Sequence, residues 1–373
     1  MNPLPLEPPV RTLLGPGPSD PYPEVLAAIA RPTVGHLDPW FIDLMDRTRE
    51  LLRYAFRTDN ELTIALSGPG SAGMETCLAN LIEPGDTAVV CVNGYFGSRM
   101  RDIVDRIGGR PVAVNDEWGR PVDPAKVEDA LKKNPGAGIL AFVHAETSTG
   151  AQSDAKTLAE LARRHGYLAL VDAVTSLAGT PLYVDDWQID AVYSGSQKCL
   201  SCVPGLAPLS LSERALDRVR RRRTPVAGWF SDLTLLAQYW SGGAKRTYHH
   251  TAPVNSIYAL YAALERLRSE GLENSWHRHR DNHRLLKTGL ESLGLEFLVD
   301  ESARLPQLNA VRVPTGVDEA AVRRRLLEEF NIEIGAGMGE LAGKIWRIGL
   351  MGCSSDPLKI ERLLAALRKI LVA

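Results

Sequence analysis

Between about residues 60 and 212, short apolar β-rich runs alternate with amphipathic helical stretches, and this alternation narrows the possible folds more than any other feature. The run "LTIALS" (62–67) leads into "AGMETCLANLI", and "TAVVCVN" (87–93) into "GSRMRDIVDRIG". The run "AGILAFVHAE" (137–146) leads into "SDAKTLAELARRHG", where Ser153 is placed to cap the helix and Gly166 to end it. Three further runs follow: "YLALVDAV" (167–174), "IDAVYSGS" (189–196) and "LAPLSLS" (206–212). Strands that are apolar at nearly every position are buried on both faces. Separated by helices, they build an α/β fold with a mostly parallel central sheet flanked by helices.

The pattern changes after about residue 255. "IYALYAALERL" puts Ile257, Leu260, Leu264 and Leu267 on one helical face. A second helix is expected over about 274–293. Then come strands "LEFLV" and "LNAVRV", a helix "DEAAVRRRLLEEF", strands "IEIG" and "KIWRIGL", and a closing helix from about 356. This predicts a smaller α+β lobe. The chain's 373 residues also exceed what one core usually serves. We divide it into a proline-rich extended arm (1–20), a large lobe (21–270) and a small lobe (271–373).

Lys and Arg number 43 against 45 Asp and Glu, so nothing in the overall charge points to nucleic acid or a membrane surface. The basic run "RVRRRR" (218–223) follows "SERALD" and reads as a solvated helix end. The first residues lack a basic segment followed by an apolar one, and "KILVA" is not a peroxisomal address. Five cysteines in mostly apolar surroundings suit a reducing compartment, so the cytoplasm is expected. "CLSC" stands without a second CxxC, and the histidines show no metal-ligand spacing, so no metal is expected.

"GPGSAG" (68–73) fits the GxGxxG pattern of dinucleotide folds. Those folds also need an acid closing the next strand, whereas "TAVVCVN" ends in Asn93-Gly94 and Asp86 lies before it. What remains of the motif is physical: a glycine-rich turn opening a helix can hold a phosphate.

Open α/β sheets bind ligands at the carboxyl ends of their strands. Gathered there are the turn Gly68–Ser71, the aromatics Tyr95 and Phe96, the hydroxyls of Thr147, Ser148 and Thr149, the acid Asp172, and Gln197-Lys198. Lys198 has no acidic residue within five positions. One cofactor uses a phosphate turn, a stacked ring, an acid and an amine together. Pyridoxal phosphate needs an amine for its aldehyde, a carboxylate on its pyridine nitrogen, a phosphate cup and a ring on its face.

On "LLGPGPS", "SGPGSAGMET", "NGYFG", "HAETSTG", "LVDAVTSLAGTPLYVD", "YSGSQK", "YHHTAPV", "GLENSW" and "WRIGLMG", the chain resembles the class V, fold-type I pyridoxal-phosphate aminotransferases over nearly its whole length. Within them it is similar to the alanine–glyoxylate, serine–pyruvate and serine–glyoxylate group. The resemblance implies transfer of an amino group from alanine or serine to glyoxylate or pyruvate. Alternatives within the cofactor class are a ureidoglycine–glyoxylate or aminoethylphosphonate transaminase, or a lyase such as a cysteine desulfurase.

Carried over residue by residue, the resemblance makes Lys198 the lysine that holds the cofactor covalently and Asp172 the partner of its pyridine nitrogen. Thr147 would bond to the cofactor and Phe96 stack on it. Gly70, Ser71 and Gln197 would hold the phosphate. Tyr248 and Thr251 would reach the phosphate of the neighbouring subunit, which implies a homodimer with active sites at the interface. Arg347 would pair with the substrate carboxylate. Pro69 and Ser71 depart from the Ser and His of some relatives, which removes one side-chain phosphate donor and shortens another. Cys199 reads as a packing residue. In "KIWRIGL" the strand period sets Ile345, Arg347 and Gly349 opposite Trp346, Ile348 and Leu350. We expect the arginine face to look toward the cofactor, with Gly349 leaving room for substrate.

Overall fold

The computed structural model describes residues 6–136, 138–240 and 246–371, so the first five residues of the arm lie outside it. Its centre is a seven-stranded sheet. The strands are β1 (Leu62–Ser67), β2 (Thr87–Val92), β3 (Arg110–Asn115), β4 (Ile139–Val143), β5 (Leu168–Asp172), β6 (Ala191–Tyr193) and β7 (Leu206–Leu211). Their spatial order is β1-β7-β6-β5-β4-β2-β3. Every residue of β2, β4, β5, β6 and β7 is buried, as expected for strands covered on both faces. Each leucine-sized side chain withdrawn from water here contributes about 2 kcal/mol.

The sheet is mostly parallel, with one exception: β7 runs antiparallel to both β1 and β6. The cause is the connection. Residues 194–205 join β6 to β7 without a helix, and a parallel return needs a helical crossover. The other six strands point the same way, so their carboxyl ends form one edge.

Helices α1 (Gly70–Leu81), α2 (Tyr95–Arg106) and α3 (Ala155–Arg164) follow β1, β2 and β4. The cap of α3 is Asp154, whose carboxylate accepts from Thr157 N–H, and not Ser153. The Ser153 hydroxyl instead accepts from Val122 N–H. Gly166 does stop the helix, at φ +79°. The basic run is not simply a solvated end. Arg218 pairs with Asp86 at 2.8 Å, and Arg222 donates to the carbonyls of Asn80 and Ile82 at the C-terminal end of α1.

Helix α4 (Val254–Glu270) buries Ile257, Leu260, Leu264 and Leu267 in the large core. Helix α5 (Leu272–Ser292) bridges two cores. Leu272 and Trp276 belong to the large one; Leu286 and Leu290 belong to the small one. The small core packs around β8 (Leu308–Arg312), β9 (Gly335–Ala336) and β10 (Ile345–Gly349), an antiparallel sheet in the order β8-β10-β9. "LEFLV" is not a strand; it makes only the Phe297–Val311 bridge beside β8.

The arm adds to this lobe. Thr12–Leu13 pairs in parallel with Ile332–Glu333, and Leu14 is buried in the small core.

Candidate active site

Lys198 sits on the 194–205 connection, which is fastened at several points. Ser19 donates its hydroxyl to the Lys198 carbonyl at 2.7 Å and its N–H to the Gln197 carbonyl at 2.9 Å. Ser196 donates across the loop to the Val203 carbonyl at 2.6 Å. The lysine amine donates to the carbonyl of Pro16, so the arm lies directly over it. Gly17 permits this approach. It stands at φ +110°, and a Cβ there would overlap the amine. Burial lowers the Lys198 pKa to about 8, with the Arg347 charge adding to the effect.

Asp172 ends β5. One carboxylate oxygen accepts from Val174 N–H at 2.8 Å, the other from the Tyr193 hydroxyl at 2.7 Å. Burial pushes its pKa up to about 7, against those two hydrogen bonds. No cation forms an ion pair with it among the described residues. A ligand group with an N⁺–H would therefore find a strong acceptor there.

After β1, the extended Pro69 starts α1 without a side-chain cap, and the N–H groups of Gly70 and Ser71 have no acceptor among the described residues. These N–H groups sit at the positive end of the helix dipole. The side chain of Val174 fills the place a Cβ on Gly70 would take. Phe96 lies in the first turn of α2. Glu146, buried at the end of β4's extension, holds that turn: it accepts from Gly97 N–H at 3.3 Å and from the Ser148 hydroxyl at 2.6 Å. Ser148 in turn accepts from Tyr95 N–H at 2.9 Å. The Thr147 hydroxyl bonds with that of Thr175.

Lys198, Asp172, Gly70, Ser71, Phe96, Thr147 and Gln197 line one cavity. The Gln197 amide oxygen is buried without a partner among the described residues. Tyr248 and Thr251 are not brought there. Both are exposed, and the Tyr248 ring lies 5.3 Å from that of His36.

Arg347, on β10, crosses between the lobes. Its Nε donates to the Ala336 carbonyl at 2.6 Å and its Nη1 to the Thr147 carbonyl at 3.2 Å, leaving Nη2 without an acceptor among the described residues. Burial lowers its pKa to about 10, opposed by the Glu146 charge. The opposite face carries Trp346, Ile348 and Leu350 into the small core. Gly349 does not leave room for substrate. Its N–H donates to the Leu14 carbonyl at 2.8 Å, and a Cβ there would strike the Gly15 carbonyl, so the space belongs to the arm.

The sequence reading missed Glu146, Tyr193 and the Pro16-Gly17 contact. Glu146 had one signal: a lone acid closing an apolar run. The Tyr193 hydroxyl and the Pro16 carbonyl had none, since each matters only through a distant partner. Cys199 is buried with its thiol on the Thr175 carbonyl at 3.5 Å, and burial pushes its pKa up to about 12.

The family model described as aminotransferase class-V matches residues 19–345. The alanine–glyoxylate aminotransferase of Callithrix jacchus is 40% identical over 369 residues, covering 98% of this chain and 89% of that protein. The (S)-ureidoglycine–glyoxylate transaminase of Bacillus subtilis is 37% identical, covering 98% of this chain and 91% of that protein. The crystal structure of an alanine–glyoxylate aminotransferase from Nostoc sp. superposes with a TM-score of 0.97 at 49% identity, over 100% of this chain and 98% of that one. This chain belongs to the class-V aminotransferase family.

Proposed function

We propose that the protein is a pyridoxal-phosphate-dependent transaminase that moves the amino group of alanine to glyoxylate. The observation that carries this is one cavity holding a buried amine of lowered pKa, a buried carboxylate without a cation, and free helix N–H groups. The alanine–glyoxylate aminotransferases, at 40% and 49% identity over nearly the whole chain, support the substrate pair.

The residues fit the cofactor. The Gly70 and Ser71 N–H groups suit a phosphate, and the orphaned Gln197 amide, once turned, offers its NH₂ beside them. Asp172 suits a protonated ring nitrogen. When bound, pyridoxal phosphate supplies an aldehyde that takes up the amino group and a ring that draws electrons from the substrate Cα. Lys198, with its pKa near 8, has a neutral fraction at neutral pH and acts as a nucleophile and as the base for the Cα proton. Asp172 holds the proton on the ring nitrogen. Phe96 would stack on the ring and Thr147 would bond to it, both from the lining of the same cavity. Arg347 offers Nη2 to the carboxylate of amino donor and oxo acceptor in turn.

Steady-state kinetics with alanine and glyoxylate test the reading; absence of turnover with alanine and with serine would sink it. The Bacillus subtilis relative favours one other donor, ureidoglycine, and kcat/KM for the three donors against glyoxylate ranks them. A lyase that needs a reactive thiol finds none activated. Burial pushes Cys199 and Cys202 up to about 12 and raises Cys353 as well. The same free thiols support a cytoplasmic setting.

Arg347→Lys keeps the charge and loses the planar fork. KM for donor and for acceptor should rise together, about tenfold or more, because one group binds both carboxylates. The absorbance of the resting cofactor should not move. Unchanged KM values would place the carboxylate clamp elsewhere.

We propose that Tyr248 and Thr251 serve a second copy of the chain; their exposure here supports that reading. A homodimer that shares phosphate sites would sediment at twice the chain mass, and Thr251→Ala would weaken cofactor binding about tenfold. A monomer with full cofactor affinity is the contrary outcome.

A further inference from the structure

A phosphate monoester carries close to two negative charges at neutral pH. At the phosphate end of the cavity, the residues assigned so far are dipoles only: the Gly70 and Ser71 N–H groups, the Ser71 hydroxyl and the Gln197 amide. The cations already described point elsewhere, Lys198 to the Pro16 carbonyl and Arg347 to the carbonyls of Ala336 and Thr147.

One further cation reaches this end. Arg99 lies one turn along α2 from Phe96 and donates from Nη1 to Ser71 Oγ at 2.9 Å. Its guanidinium carbon is 5.1 Å from the Tyr95 ring centroid and 5.2 Å from that of Phe96. Among the described residues no carboxylate pairs with it; Asp102, one turn on, is taken by Arg106 at 2.7 Å. Three contacts therefore fix the position of this cation, and none neutralises it.

We propose that Arg99 supplies the countercharge for the cofactor's 5′-phosphate within its own subunit. This rests on the cofactor assigned above. Ser71 accepts from Arg99 and so keeps its own proton to donate onward. The guanidinium has further N–H groups beyond the one spent on Ser71, in a fork that matches phosphate oxygens. The Tyr95 and Phe96 faces hold it at the rim. Spacing along α2 puts Phe96 and Arg99 on one side of the helix. A single element thus delivers both the ring that lines the cavity and the charge at its phosphate end.

The test compares two ligands on apoprotein: pyridoxal 5′-phosphate and pyridoxal, which lacks the phosphate. Arg99→Gln should weaken pyridoxal phosphate about ten- to a hundredfold and leave pyridoxal unchanged. It should also flatten the salt dependence of binding and raise the inorganic phosphate needed to compete. Arg99→Lys should recover part of the loss. Equal losses for both ligands would overturn the proposal, assigning Arg99 to the placement of α2. No loss for either would also overturn it. Wild-type protein that binds neither ligand would bring down the cofactor reading itself, which the two variants alone would not.

Discussion

Lys198→Ala is expected to lower turnover at least about a thousandfold, because the same amine is nucleophile and proton carrier and no other amine among the described residues lines the cavity. The fold should survive and even gain. In the cofactor-free protein the lysine's pKa falls from 10.5 to about 8 on burial. Below pH 8 both folded and unfolded chains carry the proton, and the folded state bears the full cost of a desolvated ammonium. That cost is about 3 kcal/mol at 1.36 kcal/mol per pKa unit, before the packing lost on truncation. Between pH 8 and 10.5 only the unfolded chain stays protonated, so wild-type stability rises with pH across that window. The apo variant should therefore melt no lower than wild type at pH 7 and lose that margin by pH 10.5. A variant that turns over alanine at the wild-type rate would remove Lys198 from the chemistry.

Asp172→Asn is expected to slow Cα proton removal by about a thousandfold, since the fixed charge opposite the ring nitrogen is gone. Its stability effect has the opposite pH sign to that of Lys198. The folded pKa is raised, from 3.8 to about 7. The folded state binds the extra proton within that window, so wild-type apoprotein loses stability as pH rises from 4 to 7 and is flat above. Asparagine cannot ionise and escapes this loss. Above pH 7 the variant apoprotein should gain roughly 2–4 kcal/mol, the upper figure reduced by the altered bond to Tyr193. Thermal melts of both apoproteins at pH 4, 7 and 9 read this directly. Equal single-turnover rates in the two proteins would leave Asp172 only the capping of Val174 N–H.

The cavity could be anticipated in part because its chemistry sits where strands end, and strand ends follow from apolar runs. Asp172 closes β5 and Lys198 follows β6, so co-directional strands bring them together. The direction of β7 had no such signal; pairing sense depends on the connection, not on the side-chain pattern. Ser153 and Asp154 are equally good caps in isolation, and only the demand of Val122 N–H on Ser153 separates them. Gly349 was misread because a missing side chain looks alike whether ligand or backbone fills the gap. Tyr248 and Thr251 stand apart from the cavity of their own chain, because residue pattern along a sequence does not fix how far a loop lies from a strand end.

The strand at Thr12–Leu13 bears on how the molecule is made. The arm's anchor joins residues 320 positions apart, Arg11 to Asn331, and its partner strand is Ile332–Glu333. On the ribosome this segment emerges some 320 residues before its partner and must wait for it. Until residue 333 has left the exit tunnel, Gly15, Pro16 and Gly17 are held near Lys198 from one side only, through Ser19 on the carbonyls of Gln197 and Lys198. A nascent chain can have the whole seven-stranded sheet and still leave the cover over its lysine pinned at one end. Long-range closure of this kind comes late, because loop entropy is lost before the contact returns anything. Translation stalled or cut short past the large sheet would then leave an incomplete molecule whose amine lies under a cover fastened at one end only.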